Sequence, residues 1–186
     1  VILDGRNLVH RPQLERARQV TYLPQSLPAR SRLGVFEAVL SAAMAGCPQL
    51  GLLGKGAGDD AVQAVEETLK QLNLTELADR AVEGLSGGQR QLVGLAQALV
   101  RQPRVLMLDE PAAGLNPQEK KDLQGLIGRL RDEYGVAVLL IEHDMSLVMG
   151  VSERILVMEY GRPIALGTPD AIRRDERVIK AYLGEE

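Results

Sequence analysis

Tryptophan is absent from this chain, phenylalanine occurs once, and aromatic residues make up 3% of the whole. A surface built to stack nucleic-acid bases needs more than that. A single cysteine, Cys47, excludes an internal disulfide framework and fits a reducing compartment. Basic charge is not in excess: 22 Lys and Arg stand against 25 Asp and Glu, for a net charge of −3. That balance excludes a nucleic-acid partner held by a basic field. No apolar run reaches the roughly 18 residues of a membrane-spanning helix. The best runs, Val105–Leu108 and Val136–Ile141, predict buried strands instead. No basic leader followed by an apolar stretch opens the sequence. The first residue is Val1 rather than Met, inside a strand-like run, so the chain is expected to lack its own beginning.

What is present is globular. The 186 residues are 45% hydrophobic and 25% charged, which suits one domain with a subdomain. Short strands are predicted at Val1–Leu3, ahead of an Asp4-Gly5 turn, and at Gln19–Leu23, stopped by Pro24. Between residues 26 and 84 the character turns helical. Val35–Ala45 has helical composition, and glycine-rich Gly46–Gly58 reads as a loop. From Asp59-Asp60 onward, Val62, Val65, Leu69 and Leu72 form one apolar stripe. Beyond residue 84, helix and strand alternate. Gly88–Val100 is a predicted helix, Val105–Leu108 a strand, Gln118–Tyr134 a helix, Val136–Ile141 a strand and Ser146–Val151 a short helix. A hairpin follows, Ile155–Met158 with Pro163–Leu166 about Tyr160-Gly161-Arg162. This alternation predicts α/β layering on a mainly parallel sheet.

Four elements carry chemistry. In Leu85-Ser86-Gly87-Gly88-Gln89, two glycines permit close backbone approach and a helix begins at once, with Ser86 as its N-cap. Unpaired amides at the positive end of a helix suit phosphate oxygens, and the same residues also describe a loop that merely caps a helix. Val105–Leu108 then delivers Asp109 and Glu110 to the C-terminal end of a strand, where open α/β sheets bind ligands. There Asp109 is placed to hold Mg²⁺ and Glu110 to take a proton from an attacking water. The plain alternative is a solvated acidic turn. Val138–Ile141 likewise delivers Glu142-His143-Asp144; His143 can steady a phosphate or a water, or be an ordinary exposed histidine. Gln25, straight after Pro24, is either surface or a carbonyl ligand for Mg²⁺.

In this order the four elements resemble the nucleotide-binding subunit of ATP-binding-cassette (ABC) transporters. Leu85–Gln89 matches the family's signature letter for letter, Gln25 its Q-loop, Val105–Asp109 its Walker B strand, Ala113–Asn116 its D-loop and His143 its H-loop. The resemblance implies an ATPase with a P-loop-type α/β fold. Residues 1–25 and 85–186 would form its core and residues 26–84 an inserted helical subdomain. It implies ATP contacts from Gln25, Ser86, Gly87, Gly88, Gln89 and Asn116, Mg²⁺ on Asp109 and Gln25, and catalysis by Glu110 and His143. The implied partners are a second such subunit and transmembrane permeases docked on residues 26–84, at the cytoplasmic face of a membrane. One departure is large. No Gly-x-x-x-x-Gly-Lys-Ser/Thr octapeptide occurs, and Gly54-Lys55-Gly56 lacks both the hydroxyl and the first glycine. An N-terminally truncated member is expected, unable to hydrolyse ATP alone and prone to aggregate. Up to Pro111 the sequence looks like the iron-chelate and cobalamin importer subgroup. From Ala112 it looks like the branched-chain amino acid subgroup. Competing readings are a soluble ABC protein outside transport and a non-catalytic half that offers its signature in trans.

Overall fold

The computed structural model describes residues 2–3, 5–25, 32–46 and 57–183. The readings placed on Gly54-Lys55-Gly56, on Cys47 and on most of Gly46–Gly58 lie outside those residues. Two compact units emerge, Val1–Ile141 and Glu142–Glu186.

The first unit opens with a small hairpin, β1 (Ile2–Leu3) against β2 (Arg6–Asn7), turning on Gly5 at φ 72°. Next comes α1 (Gln13–Gln19), which runs straight into β3 (Val20–Leu23). Nothing in the sequence pattern announces α1, because Gln-Leu-Glu-Arg-Ala-Arg-Gln carries one large apolar residue and no stripe. It is held from outside: Arg101 Nη2 donates to the Ala17 carbonyl at 3.1 Å. Then follow α2 (Val35–Gly46), α3 (Ala57–Gln71), α4 (Gly87–Leu99), β4 (Val105–Asp109), α5 (Pro117–Asp132) and β5 (Ala137–Ile141).

The helices α2, α3 and α4 pack on one another. The predicted stripe on α3 does the work, with Val65, Leu69 and Leu72 buried. The acids Asp59 and Asp60 stand in the first turn of α3, which begins two residues earlier than the sequence suggests. Gln97 Nε2 on α4 donates to the Ala38 carbonyl on α2 at 3.1 Å. Among the described residues no helix is long and apolar enough to cross a membrane.

The strands pair in parallel in the order β3-β4-β5. One sheet face is core: Thr21, Leu23, Leu106 and Leu108 are buried. By register, the other face carries Tyr22 beside Met107 and Leu139, with Asp109 beside Ile141. Here the structure corrects the sequence. Val136–Ile141 was expected to form a buried strand, yet Leu139 and Ile141 are 52% and 51% exposed. The reason is position: β5 lies at the sheet's edge among the described residues, with β4 on one side only, and its Leu139 and Ile141 share the sheet face on which Tyr22 is also exposed. Parallel strands ordinarily have both faces covered.

The second unit contains α6 (Met145–Val151), β6 (Ile155–Glu159), β7 (Arg162–Gly167), α7 (Pro169–Arg173) and α8 (Glu176–Leu183). β6 and β7 form the predicted hairpin, with Glu159 opposite Arg162. Its turn places Tyr160 and Gly161 at φ 45° and 76°, the doubly left-handed turn that matches strand twist. Ile155, Val157, Ala165, Ile172 and Val178 make the core of this unit.

Candidate functional site

The carboxyl end of β4 is where side chains converge. Tyr22 pairs in register with Met107, so its ring leans diagonally toward Asp109, two residues further along the same face. Tyr22 Oη donates to Asp109 Oδ2 at 2.7 Å. Gln25, just past β3, donates through Nε2 to Glu110 Oε2 at 2.5 Å. Each of two consecutive acids is thus gripped by its own donor, one on β3 and one just beyond it, and bonds to a charged acceptor are the stronger kind. Glu110 is fixed through its backbone as well, donating its N–H to the Ile141 carbonyl at 2.9 Å. Its φ of 45° is left-handed, and Pro111 follows it. That conformation costs a residue with a side chain roughly 1–3 kcal/mol and is typical of sites where geometry matters more than stability.

The bond to Asp109 raises the Tyr22 phenol above the ordinary tyrosine value; burial and the Asp109 charge add to the effect. A raised pKa favours the protonated phenol in the folded chain. Its stabilising contribution is therefore complete below about pH 10 and fades as pH climbs through the raised folded value. Asp109→Asn is expected to bring the latest phenolate absorbance of an alkaline titration to lower pH. An unmoved titration curve would dissociate Tyr22 from Asp109.

The second element is a closed capping box. Ser86 Oγ accepts from the Gln89 N–H at 3.1 Å, and Gln89 Oε1 accepts from the Ser86 N–H at 3.0 Å. Arg90 Nη1 braces the approach by donating to the Leu85 carbonyl at 2.5 Å. Gly87 is exposed and Gly88 buried. Gly87 and Gly88 lie in the first turn, where helix geometry supplies amides with no intrahelical acceptor.

Asn116 has a task that its placement among the ATP contacts did not include. Its Oδ1 accepts from the Gln118 and Glu119 amides, both at 2.9 Å, and Glu119 Oε2 accepts from the Asn116 N–H at 2.9 Å. This is the capping box of α5. His143 belongs to the second unit and is exposed. Its backbone N–H donates to Glu142 Oε2 at 3.2 Å, and Asp144 caps α6.

Among the described residues no group of three or more His, Cys, Asp or Glu could hold a metal ion. Asp109 offers one carboxylate, which suits a cation that binds through one or two carboxylates and completes its shell with water and phosphate, as Mg²⁺ does.

The family ABC transporter matches residues 1–113, and the family branched-chain amino acid ATP-binding cassette transporter matches residues 162–186. The chain belongs to the ABC transporter ATP-binding family. Within that family it is 52% identical over 126 residues to the high-affinity branched-chain amino acid transport ATP-binding protein BraF of Pseudomonas aeruginosa; the match spans 68% of this chain and 49% of BraF. LivG of Escherichia coli, of the same description, is 48% identical over 129 residues, 69% of this chain and 51% of LivG. The chain therefore spans about half the length of these curated relatives. The lipopolysaccharide export system ATP-binding protein LptB of Escherichia coli matches all of this chain and 74% of its own, at 32% identity. Among solved structures, the ADP conformation of MJ1267, an ATP-binding cassette of an ABC transporter, superposes with TM-score 0.81 at 26% identity. It covers 99% of this chain and 76% of that one.

Two residues of this ABC chain went unremarked in its sequence. Tyr22 becomes visible only through strand register. Glu119 was legible as the fourth residue of Asn-x-x-Glu before an apolar helical stripe, the signal of a capping box.

Proposed function

We propose that this chain is part of an ATP-hydrolysing subunit that powers import of branched-chain amino acids. The observation that carries it is the pair of gripped acids at the end of β4, Asp109 with Tyr22 and Glu110 with Gln25. The likeness to BraF and LivG, and the family match at residues 162–186, support the substrate class. In this reading residues 26–84 form a helical subdomain that docks transmembrane permeases. A second subunit pairs head to tail, and the assembly sits at the cytoplasmic face of a membrane. The full-length likeness to LptB favours a second reading, in which the same machinery drives export.

The chemistry follows from the residues. Asp109 and the Gln25 carbonyl oxygen would hold Mg²⁺, which supplies positive charge against the phosphate oxygens. Glu110 takes a proton from the attacking water, and its pinned backbone keeps that carboxylate in place. His143 would keep the phosphate-steadying role that the family resemblance implies. Gly87 and Gly88 would offer helix-start amides, and Ser86 its hydroxyl, to the nucleotide of the partner subunit, with Gln89 holding the box. Asn116, at the start of α5, faces the same nucleotide.

Gly87 supplies the test. Nothing lies within 4 Å of a side chain added there, so Gly87→Asp is sterically tolerated within the chain. It puts a carboxylate where a phosphate is expected, and like charges repel. In a protein joining this chain to the Walker A segment of a relative, Gly87→Asp is expected to abolish ATP-dependent dimers while monomer nucleotide binding stays within about twofold of wild type. ATP-driven dimers of that variant in light scattering would end the assignment.

A further inference from the structure

The start of α4 and the start of α5 meet at one point. A Cβ added to Gly88 would stand 2.4 Å from Glu119 Oε1, 2.5 Å from its Cδ and 2.8 Å from Oε2. No real Cβ tolerates such contacts, so the carboxylate of Glu119 rests in the space a side chain at 88 would fill. A long acid can usually swing aside, but this one is tethered. Its Oε2 accepts from the Asn116 N–H at 2.9 Å, and its own N–H donates to Asn116 Oδ1 at 2.9 Å. Moving the carboxylate off Gly88 means opening the α5 box. A cavity of about 40 Å³ adjoins the contact, with Gly88, Glu119, Leu92, Leu95, Leu115 and Leu123 among its lining. The negative carboxylate also sits beside the positive end of α4, which favours its seat.

We propose that Glu119 is a positioning residue: seated in the socket left by Gly88, it locks Ser86–Gly88 and Asn116 into one piece. Gly88 is then glycine because of Glu119, not only because of any ligand. The lock's bearing on nucleotide handling rests on the function proposed above. The lock itself does not, so it is tested without nucleotide, and the failure of one is distinguishable from the failure of the other.

The test is a double-mutant cycle with controls on the full 186-residue chain, read by thermal melt and by amide hydrogen exchange. Alanine is a better helix former than glycine, so propensity alone predicts that Gly88→Ala raises Tm. The lock predicts the reverse in the native background: a lower Tm, and exchange at the Asn116, Gln118 and Glu119 amides faster by roughly fivefold, the equivalent of a lost cap. In the Glu119→Ala background the sign flips, and Gly88→Ala raises Tm. Glu119→Gln keeps the box and the volume, so it preserves the penalty at 88. Gly87→Ala, with open space around it, raises or keeps Tm in both backgrounds. If Gly88→Ala alone fails to fold while Gly88→Ala with Glu119→Ala folds, the lock is supported. If Gly88→Ala acts with the same sign in both backgrounds, or both 88 variants fail while Gly87→Ala folds, the lock is overturned.

Discussion

Glu110→Gln is expected to cut ATP turnover by roughly 10²–10⁴ in a protein that joins this chain to a relative's Walker A segment. Glutamine keeps the length of glutamate and loses only the proton-accepting oxygen. It also carries the same Cβ into the left-handed conformation at φ 45°, so the backbone strain of position 110 is unchanged. The melt should shift by no more than the equivalent of about 0.5 kcal/mol, which separates a chemical loss from a structural one. ATP should still bind, and the ATP-bound dimer should persist, because the step that dissolves it is slowed. Steady-state phosphate release at the parental rate would remove Glu110 from its role.

The second large effect concerns self-association of the chain. Leu139 and Ile141 stand half exposed on an edge strand, on the same sheet face as Tyr22, which is 53% exposed. Full burial of a Leu or Ile side chain is worth about 1.5–3 kcal/mol. Covering the exposed halves of these two therefore gains roughly 1.5–3 kcal/mol per copy, and an edge strand also offers unpaired backbone groups to a neighbour. The chain is therefore expected to self-associate through this face. Leu139→Lys together with Ile141→Lys replaces that surface with charge, the device natural edge strands use. The double variant is expected to weaken association by about 10²-fold in sedimentation or light scattering across a concentration series. Equal association in the parent and the double variant would show that this face is not the cause.

Local chemistry was easy to read from the residues. Val105–Leu108 is a run of apolar residues closed by two acids, and it became β4. Ser86-Gly87-Gly88 with Gln89 became the start of α4. What stayed hidden depends on distant parts of the chain. Residue types cannot tell an edge strand from a central one, since β5 has the same composition as a buried strand and differs only in its neighbours. The grip of Tyr22 on Asp109 joins residues 87 positions apart and exists only once β3 and β4 are in register. α1 lacks an apolar stripe, and its bond from Arg101 crosses 84 positions. Asn116 shows the opposite failure: its capping box was local and legible, but the residue was read only for what it could do to a nucleotide.

The parallel pairing of β3 with β4 also sets an order of events during synthesis. Val20 pairs with Val105, so β3 leaves the ribosome long before its partner exists, whereas β4 meets Ala137 much sooner. The 85 positions that separate them take roughly 4–17 s at 5–20 residues per second. Over that interval α2 and α3 can find each other, while β3 waits with its apolar side chains unpaired. The nascent chain thus carries its helical layer before its sheet, and Tyr22 and Gln25 wait for the acids that β4 brings.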